Sequence, residues 1–220
     1  MTPAFPARRT RVLPVLFLLC TAIAPVAFSQ TGVQPAAPPP APAQAQTAEH
    51  PAFTDADVHF MTGMISHHAQ AVLIAGWAPS HGASASLQAL CERIVVAQRD
   101  EIAVMQRWLR ERNLPVPEPD PRGMAMPGMG PMLMPGMLSP EQMSQLDAAR
   151  GVQFDRLFLT DMIQHHQGAI SMVNQLLGST GAAQDGLVFR FAADVNADQT
   201  TEIDRMRRML AALPLSGGSQ

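Results

Sequence analysis

Two copies of a Met-x-x-His-His motif contain the side chains of this sequence best suited to hold a metal ion. The first copy ends in His67 and His68, and the second ends in His165 and His166. Adjacent residues of a helix lie about 100° apart, so the two imidazoles of a pair face different directions. His68 shares a helical face with Met61 and Met64, because these positions are spaced by three and four residues. His166 shares the equivalent face with Leu159 and Met162. The motif therefore predicts imidazole ligands close to thioether ligands.

A second pattern, Gln-x-x-Glu-Ile-x-x-Met, places a carboxylate in an otherwise apolar helical stripe. It occurs with Glu101 and Met105 and again with Glu202 and Met206. A buried carboxylate is costly unless it is paired or binds a cation. We therefore expect each glutamate either to bind the metal or to accept a hydrogen bond from a metal-binding histidine. The methionines are weaker evidence, because methionine often only fills a core.

The combination of ligand types points to a soft transition metal. Imidazole together with thioether sulfur favours copper, and sulfur-rich sites favour Cu(I) or silver. Imidazole with carboxylate alone would also suit zinc, iron or Cu(II). We predict copper, as Cu(I), Cu(II) or both, with silver and zinc as alternatives.

A methionine-rich segment separates the two copies. It contains six methionines among glycines and prolines, namely Met124, Met126, Met129, Met132, Met134 and Met137. Proline and glycine disfavour a regular helix, so we expect a flexible loop whose thioethers capture Cu(I) or Ag(I). The alternative is a linker with a bias towards methionine and no role in metal binding.

An internal repeat identifies the helices that must position these residues. Asp57 and Met64, for example, recur 98 positions later as Asp155 and Met162. Each copy joins a His-His helix to a Gln-x-x-Glu helix, which predicts a helical hairpin. Two hairpins pack as a four-helix bundle around one core. Because no segment alternates as a strand does, the predicted fold is all-α.

Turn and capping signals set the boundaries of the four predicted helices. Ser139 and Gln142 form a capping box at the start of the third helix, and Gly151 is a weak point within it. The helices are predicted at about 55–78, 84–112, 139–177 and 182–213. The predicted units are hairpin one at 53–112, the methionine-rich loop at 113–138, hairpin two at 139–213 and a flexible tail at 214–220.

Three histidines lie outside the repeated motif. His59 and His81 have no counterpart in the second copy, and His50 precedes the predicted helices. We expect all three at the surface.

The first 50 residues are typical of an export signal followed by a tether. Arginines up to Arg11 precede an apolar run from Val12 to Ala27 that is too short for an ordinary membrane span. Small residues at Ala27 and Ser29 predict cleavage of residues 1–29. The mature protein is then periplasmic or secreted, with no stable membrane span. Residues 30–50 are rich in proline and alanine and are predicted to be a disordered tether in front of a metal-binding domain at 51–213.

Composition limits the class of partner. Removing three arginines with the signal leaves 12 of 15 basic side chains against 18 acidic ones, a formal charge of about −6 that argues against nucleic acid. Cys91 is then the only cysteine, so no internal disulfide can form. The predicted partner is a metal ion, with other periplasmic copper-handling proteins as candidates. The oligomeric state is left open.

These patterns resemble the bacterial domain-of-unknown-function family number 305. The similarity covers about residues 53–213 and is closest at 137–141, 154–159 and 161–166. The resemblance implies a ferritin-like bundle, export, and a link to periplasmic copper-binding proteins of copper resistance.

The first copy departs further from the family pattern than the second. Gly63 stands where the second copy has Asp161, and Ala69-Gln70 stands opposite Gln167-Gly168. The chain therefore holds one shared site, two unequal sites, or one functional half with a degenerate partner.

The predicted function is that of a non-enzymatic exported protein that sequesters, buffers or transfers copper in copper tolerance. A metal-dependent oxidase is an alternative, but no nucleophile, substrate pocket or proton relay is recognisable. Neither half has the Glu-x-x-His motif of di-iron enzymes. A metal-free structural or interaction module is the third possibility, in which the histidines only form hydrogen bonds within the core.

Overall fold

A computed structural model describes residues 53–124, 128 and 130–214. Within these residues the chain forms helices and no β-strand, so the predicted all-α fold is confirmed there. The helices are α1 (Asp55–Gly76), α2 (Ala85–Glu111), α3 (Pro140–Ala148), α4 (Gly151–Gly178) and α5 (Gly186–Ala212). The predicted signal, the tether, His50 and nearly all of the tail lie outside the described residues and stay predictions.

Four of these helices form the predicted bundle. α1 packs along α2 and α4 packs along α5, so that each repeat is a hairpin, and the hairpins meet mainly where α1 contacts α4. Two groups of buried apolar side chains fill the interior. The first surrounds Phe60 and Trp108, and the second surrounds Phe154 and Leu87. None of the helices in the described part of the chain is long and apolar enough to cross a membrane.

The prediction of one continuous third helix is wrong. The capping box at Ser139 and Gln142 is confirmed, but the helix it starts ends at Ala148. The next two residues have extended backbone, and Gly151 has a φ of 56°. Glycine adopts this left-handed conformation without the clash that a Cβ would cause. Gly151 is therefore the point where the chain begins a new helix.

The prediction that His81 lies at the surface is also wrong. His81 is 5% exposed, and its ring stacks on Trp77 with 5.7 Å between ring centroids. Its Nε2 lies 3.0 Å from the carbonyl oxygen of Asp147, and its own carbonyl accepts a hydrogen bond from Gly151. His81 therefore joins the α1–α2 connection to the break between α3 and α4. His59 is exposed, as predicted.

Two equivalent aspartates join the hairpins to each other. Asp57, in the first turn of α1, accepts a 2.7 Å hydrogen bond from the backbone of Ala183. Asp155, its counterpart in α4, accepts hydrogen bonds of 3.2 and 3.3 Å from the backbone of Ser84. Each aspartate thus holds the connection that precedes the second helix of the opposite hairpin. These matched contacts make α1 antiparallel to α4 and relate the hairpins by an approximate twofold axis.

Candidate metal centre

Four fully buried imidazoles lie where α1 faces α4. His67 and His68 come from α1, His165 and His166 come from α4, and all four are 0% exposed. The rings of His67 and His165 lie side by side with 3.8 Å between their centroids and are tilted to each other by 37°. Within each pair the ring centroids are 6.3 and 6.2 Å apart. The first histidine of each motif therefore meets its counterpart in the other hairpin.

The second histidine of each motif faces the glutamate of its own hairpin. His68 Nε2 lies 2.7 Å from Glu101 Oε2, and His166 Nε2 lies 2.7 Å from Glu202 Oε2. The His166 contact is a hydrogen bond. The His68 contact is equally short, but its atoms are not aligned as a hydrogen bond requires. The structure thus brings together the imidazoles and carboxylates that the two sequence patterns select.

The opposite nitrogen of both imidazoles is free. Among the described residues, His68 Nδ1 and His166 Nδ1 are buried and have no hydrogen-bond partner. A carboxylate beside one ring nitrogen fixes the tautomer and ring orientation of a metal-binding histidine. The geometry therefore favours Glu101 and Glu202 as orienting partners of the histidines over direct metal ligands.

His67, the first histidine of its motif, also has an oxygen acceptor beside Nε2. His67 Nε2 lies 3.0 Å from the carbonyl oxygen of Pro135. Because a carbonyl only accepts hydrogen bonds, this nitrogen carries the proton and Nδ1 carries the lone pair. His67 Nδ1 and both ring nitrogens of His165 have no hydrogen-bond partner in the described part of the chain.

Burial keeps His67 and His165 neutral. Desolvation, with a smaller contribution from the neighbouring His68, lowers the pKa of His67 to about 3. Desolvation also lowers the pKa of His165 well below its ordinary value. Both rings therefore have an available lone pair at neutral pH, which is the form that binds metal ions.

The predicted helix methionines are all buried, but the two copies differ in their supply of sulfur. Met61, Met64, Met105, Met162 and Met206 are each 0% exposed. The first apolar group contains three of them together with four further methionines, which are Met124, Met134, Met137 and Met172. The second apolar group contains only Met162 and Met206 among its fully buried members. Buried thioether sulfur is therefore concentrated in the first group.

The methionine-rich loop is packed against the bundle at both of its ends. Met124, Met134 and Met137 are 8%, 6% and 5% exposed, whereas Met132 is 40% exposed. Met124 and Met132 also exchange two backbone hydrogen bonds of 2.9 Å. Met124, Met134 and Met137 are therefore packed against the bundle, whereas the flexibility of the loop and its capture of metal ions stay predictions. Met126 and Met129 lie outside the described residues.

Three of the positions at which the two repeats differ contact this loop. A Cβ atom at Gly168 would lie 1.9 Å from the carbonyl oxygen of Pro135, and one at Gly63 would lie 2.6 Å from Met134 Cε. Gln70 exchanges three hydrogen bonds with the loop backbone. The departures from the repeat therefore make room for the loop and fasten it.

The role of Pro135 was not predicted. Its carbonyl reaches His67 because Gly136 and Gly168 allow the loop and α4 to approach backbone to backbone. A Cβ at Gly136 would lie 2.7 Å from Gly168 Cα. The two glycines were the available signal, since glycine often marks a close approach between backbones.

An acidic cleft opens beside the two glutamates, between α2 and α5. It has a volume of about 140 Å³, and its polar lining includes Gln98, Glu101, Asp198, Gln199 and Glu202. Burial, with Glu101 and Glu202 nearby, raises the pKa of Asp198. Among the described residues no three His, Cys, Asp or Glu side chains stand close enough together to hold a metal ion.

Comparison with known proteins identifies a family whose model matches this chain. A family model described as "Domain of unknown function (DUF305)" matches residues 57–210. A DUF305 protein from Streptomyces coelicolor, described as secreted, is 28% identical over 75% of this chain and 98% of its own, with a TM-score of 0.62. A DUF305 fragment from Deinococcus radiodurans is 28% identical over 74% of this chain and 100% of its own, with a TM-score of 0.62. None of the curated proteins matches the sequence.

A third similar structure is that of CopM. Its Cu(I)-bound form is 26% identical over 70% of this chain and 95% of its own, with a TM-score of 0.54. CopM structures also include Cu(II)-bound and Ag-bound forms. Together these matches confirm the predicted all-α, ferritin-like bundle.

Proposed function

The chain belongs to the DUF305 family, and we propose that it is an exported protein that binds copper within its helical bundle. The observation that carries this proposal is the set of four buried imidazoles whose Nδ1 atoms have no hydrogen-bond partner among the described residues. Buried polar atoms are seldom left unpaired, and an unpaired atom often marks an ion that the structure lacks. A metal ion bound by these nitrogens would pair them.

Nδ1 is the proposed metal-binding atom of the imidazoles. In three of the four rings Nε2 faces an oxygen acceptor, which belongs to Pro135, Glu101 or Glu202. The rings of His67 and His165 lie close together with a tilt of 37°, whereas the lone pair of a ring nitrogen lies in the ring plane. Metal binding therefore requires rotation about χ2, a torsion with a broad energy minimum in histidine.

Copper is proposed over zinc because of the nearby sulfur. The first apolar group contains seven buried methionines, and thioethers favour Cu(I) over harder ions. CopM, which has Cu(I)-, Cu(II)- and Ag-bound structures, supports this assignment through its similarity to the chain. The predicted signal and the secreted relative support export. Binding without turnover would serve to sequester, buffer or transfer the ion.

Copper titration of purified mature protein tests the proposal. Cu(I) under reducing conditions, and Cu(II) separately, would be titrated against wild type and the double variant His165→Ala, His166→Ala. We expect the double variant to bind Cu(I) more weakly, whereas His59→Ala, which changes an exposed histidine, should bind like wild type. Equal binding by wild type and the double variant would contradict the proposal. Catalytic oxygen uptake with Cu(I) as the substrate would support the oxidase alternative instead.

X-ray absorption at the copper edge would then identify the ligand types. We expect a mixture of nitrogen and sulfur ligands in wild type. Replacing Met134 and Met137 by leucine removes sulfur at nearly constant volume and should lower the sulfur count. Met132→Leu is the matched control, because Met132 is largely exposed. An all-sulfur spectrum, or an unchanged sulfur count in the double leucine variant, would contradict the arrangement proposed here.

A further inference from the structure

His165 differs from the other three buried imidazoles because no oxygen acceptor lies beside either of its ring nitrogens. In His67, His68 and His166 the Nε2 atom lies within 3.0 Å of a carbonyl or carboxylate oxygen. Both nitrogens of His165 are buried and have no hydrogen-bond partner among the described residues. A neutral imidazole carries one N–H group, and a metal-binding imidazole almost always donates that group to an acceptor. The fourth ring therefore lacks the acceptor that the other three have.

Asp161, one turn before His165 on α4, is a buried acceptor without a donor. It is 8% exposed. The other buried aspartates of the described residues, Asp57, Asp155 and Asp185, each accept backbone hydrogen bonds. Within the same part of the chain no hydrogen bond or positive charge compensates for the burial of Asp161, and the pKa of its carboxyl rises to about 6. Buried carboxylates are seldom unpaired, so a donor is expected nearby.

Helix geometry places these two groups within reach of each other. Side chains four residues apart are neighbours on a helix, with about 5–6 Å between their Cβ atoms. Long side chains of a helix also lean towards its N-terminus, so the imidazole of His165 leans towards Asp161. In the structure the ring lies against that of His67, with 3.8 Å between the centroids. The rotation about χ2 that metal binding requires also moves the N–H group and can turn it towards the carboxylate.

The first repeat has a different acceptor at the equivalent place. Gly63 stands where the second repeat has Asp161, and a Cβ atom there would lie 2.6 Å from Met134 Cε. The carbonyl oxygen of the next residue, Pro135, lies beside His67 Nε2. The chain has one such loop, and among the described residues no carbonyl reaches the equivalent ring of the second repeat. The repeats therefore differ here in the kind of oxygen acceptor that they offer.

We propose that Asp161 is a positioning residue of the copper site, an assignment that rests on the proposed function. Its carboxylate accepts a hydrogen bond from the N–H group of His165 once the ring has turned its other nitrogen towards the ion. The carboxylate then fixes the tautomer and the orientation of the ring. Asp161 itself does not bind the ion. In this arrangement all four imidazoles have an oxygen acceptor.

Asp161→Asn removes the charge at nearly constant volume, and two measurements test its effect. Cu(I) affinity from competition titration should fall by about 10- to 100-fold. The metal-free variant should unfold at the same or a higher urea concentration than wild type, because it no longer buries an unpaired carboxylate. A residue that only supports the fold would instead make the metal-free variant less stable. Asp194→Asn, at an exposed position on α5, is the control and should change neither measurement.

Nuclear magnetic resonance of the imidazole N–H groups tests the hydrogen bond itself. In the Cu(I)-loaded wild type, the N–H of His165 should exchange slowly with solvent and give a visible signal. This signal should shift or disappear in Asp161→Asn, whereas that of His67, whose acceptor is Pro135, should remain. Asp161→Glu keeps the charge and should retain more Cu(I) affinity than the asparagine variant. An unchanged His165 signal in Asp161→Asn would overturn the proposal.

The double variant His165→Ala, His166→Ala separates the role of Asp161 from the copper site itself. Loss of Cu(I) binding in the double variant, with wild-type binding in Asp161→Asn, would leave the copper site standing and overturn the role of Asp161. Equal Cu(I) binding by wild type and the double variant would overturn both. Weaker Cu(I) binding by an Asp161→Asn protein that is no less stable without metal would support the assignment.

Discussion

The atom beside each imidazole decides which of its nitrogens is available for a metal ion. An oxygen acceptor lies next to Nε2 in His67, His68 and His166. In His67 and His166, where this contact is a hydrogen bond, the proton therefore belongs on Nε2 and the lone pair on Nδ1. Glu101 and Glu202 then act by orienting the rings, as carboxylates beside metal-binding histidines do. This assignment can be tested separately from copper binding itself.

Replacing Glu202 by glutamine should weaken Cu(I) binding by about 10- to 100-fold without changing the ligands. The amide has no charge to support the ring, but the imidazole and thioethers remain in place. Binding affinity from competition titration, together with copper-edge absorption, checks both halves of this expectation. Glu92→Gln, an exposed glutamate on α2, should have no effect. A loss of one oxygen ligand in the Glu202 variant would instead make Glu202 a direct ligand.

The buried imidazoles of His67 and His165 also make the metal-free protein sensitive to acid. The pKa of His67 falls from 6.5 to about 3 on folding, and that of His165 falls in the same direction. Below about pH 6.5 the unfolded chain therefore binds more protons than the folded chain, so the free energy of unfolding falls as the pH falls. Burial raises the pKa of Asp161 from 3.8 to about 6, which has the opposite effect below pH 6.

The net expectation is a loss of at most about 1 kcal/mol per pH unit below about pH 6, because the two histidines outweigh Asp161, and the raised pKa of Asp198 offsets part of the remainder. Urea unfolding of the metal-free protein at pH 7, 6 and 5 measures this slope. The double variant His67→Leu, His165→Leu should flatten or reverse it, and His59→Gln should leave it unchanged. A stability that is constant or rises towards pH 5 in wild type would show that these two rings do not control it.

Among the elements, the loop between the hairpins is part of the bundle at both of its ends. The loop carries the carbonyl of Pro135 to His67 and buries Met134 beside Gly63. The loop packs closely on α4 because Gly168 has no side chain there, and any side chain would fill the space that the loop backbone occupies. The asymmetry between the repeats is therefore a consequence of where one connecting segment packs.

Gly168→Ala should destabilise the protein although alanine is the better helix former. The added methyl group would overlap the carbonyl of Pro135, and relieving such overpacking costs about 1–3 kcal/mol or displaces the loop. Urea unfolding measures the cost. Gly178→Ala is the control, since a Cβ there would meet nothing within 4 Å. Equal stability of the two variants would mean that the loop does not dock on α4.

At the scale of the whole molecule, the hairpins form one unit because an aspartate of each holds a connection of the other. Asp57 and Asp155 reach connections far away in the chain, and their contacts correspond under the approximate twofold axis. The same axis brings His67 against His165. The proposed copper site therefore requires both repeats, in agreement with a shared centre and not with two independent ones.

Removing either aspartate should loosen the contact between the hairpins. Asp57→Ala and Asp155→Ala each leave backbone N–H groups without their partner, which costs about 1–3 kcal/mol when the group is buried. Each variant should show this loss in urea unfolding, along with weaker Cu(I) binding. Asp55→Ala, at an exposed position in the same turn of α1, should cost much less. Retained copper affinity in both destabilised variants would contradict a site shared by the hairpins.

The sequence by itself predicts the repeat, the helical hairpins and the pairing of histidine with glutamate. These features follow from local periodicity, and three of the four predicted helices match the structure to within four residues at each end. Neighbouring side chains on a helix face are fixed by the helix geometry alone. The division of the third helix at Gly151 was only partly anticipated, because the backbone conformation there is coupled to His81 of the other hairpin.

Only the tertiary structure decides which nitrogen of each histidine is free and where the methionine-rich loop lies. The contact between His67 and Pro135 joins residues 68 positions apart, and that between Asp57 and Ala183 joins residues 126 positions apart. No local pattern encodes such contacts, since they arise when helices and loops pack. The opening motif therefore selects the candidate metal-binding side chains, whereas the packing of the two hairpins and the loop determines the surroundings of each ring nitrogen.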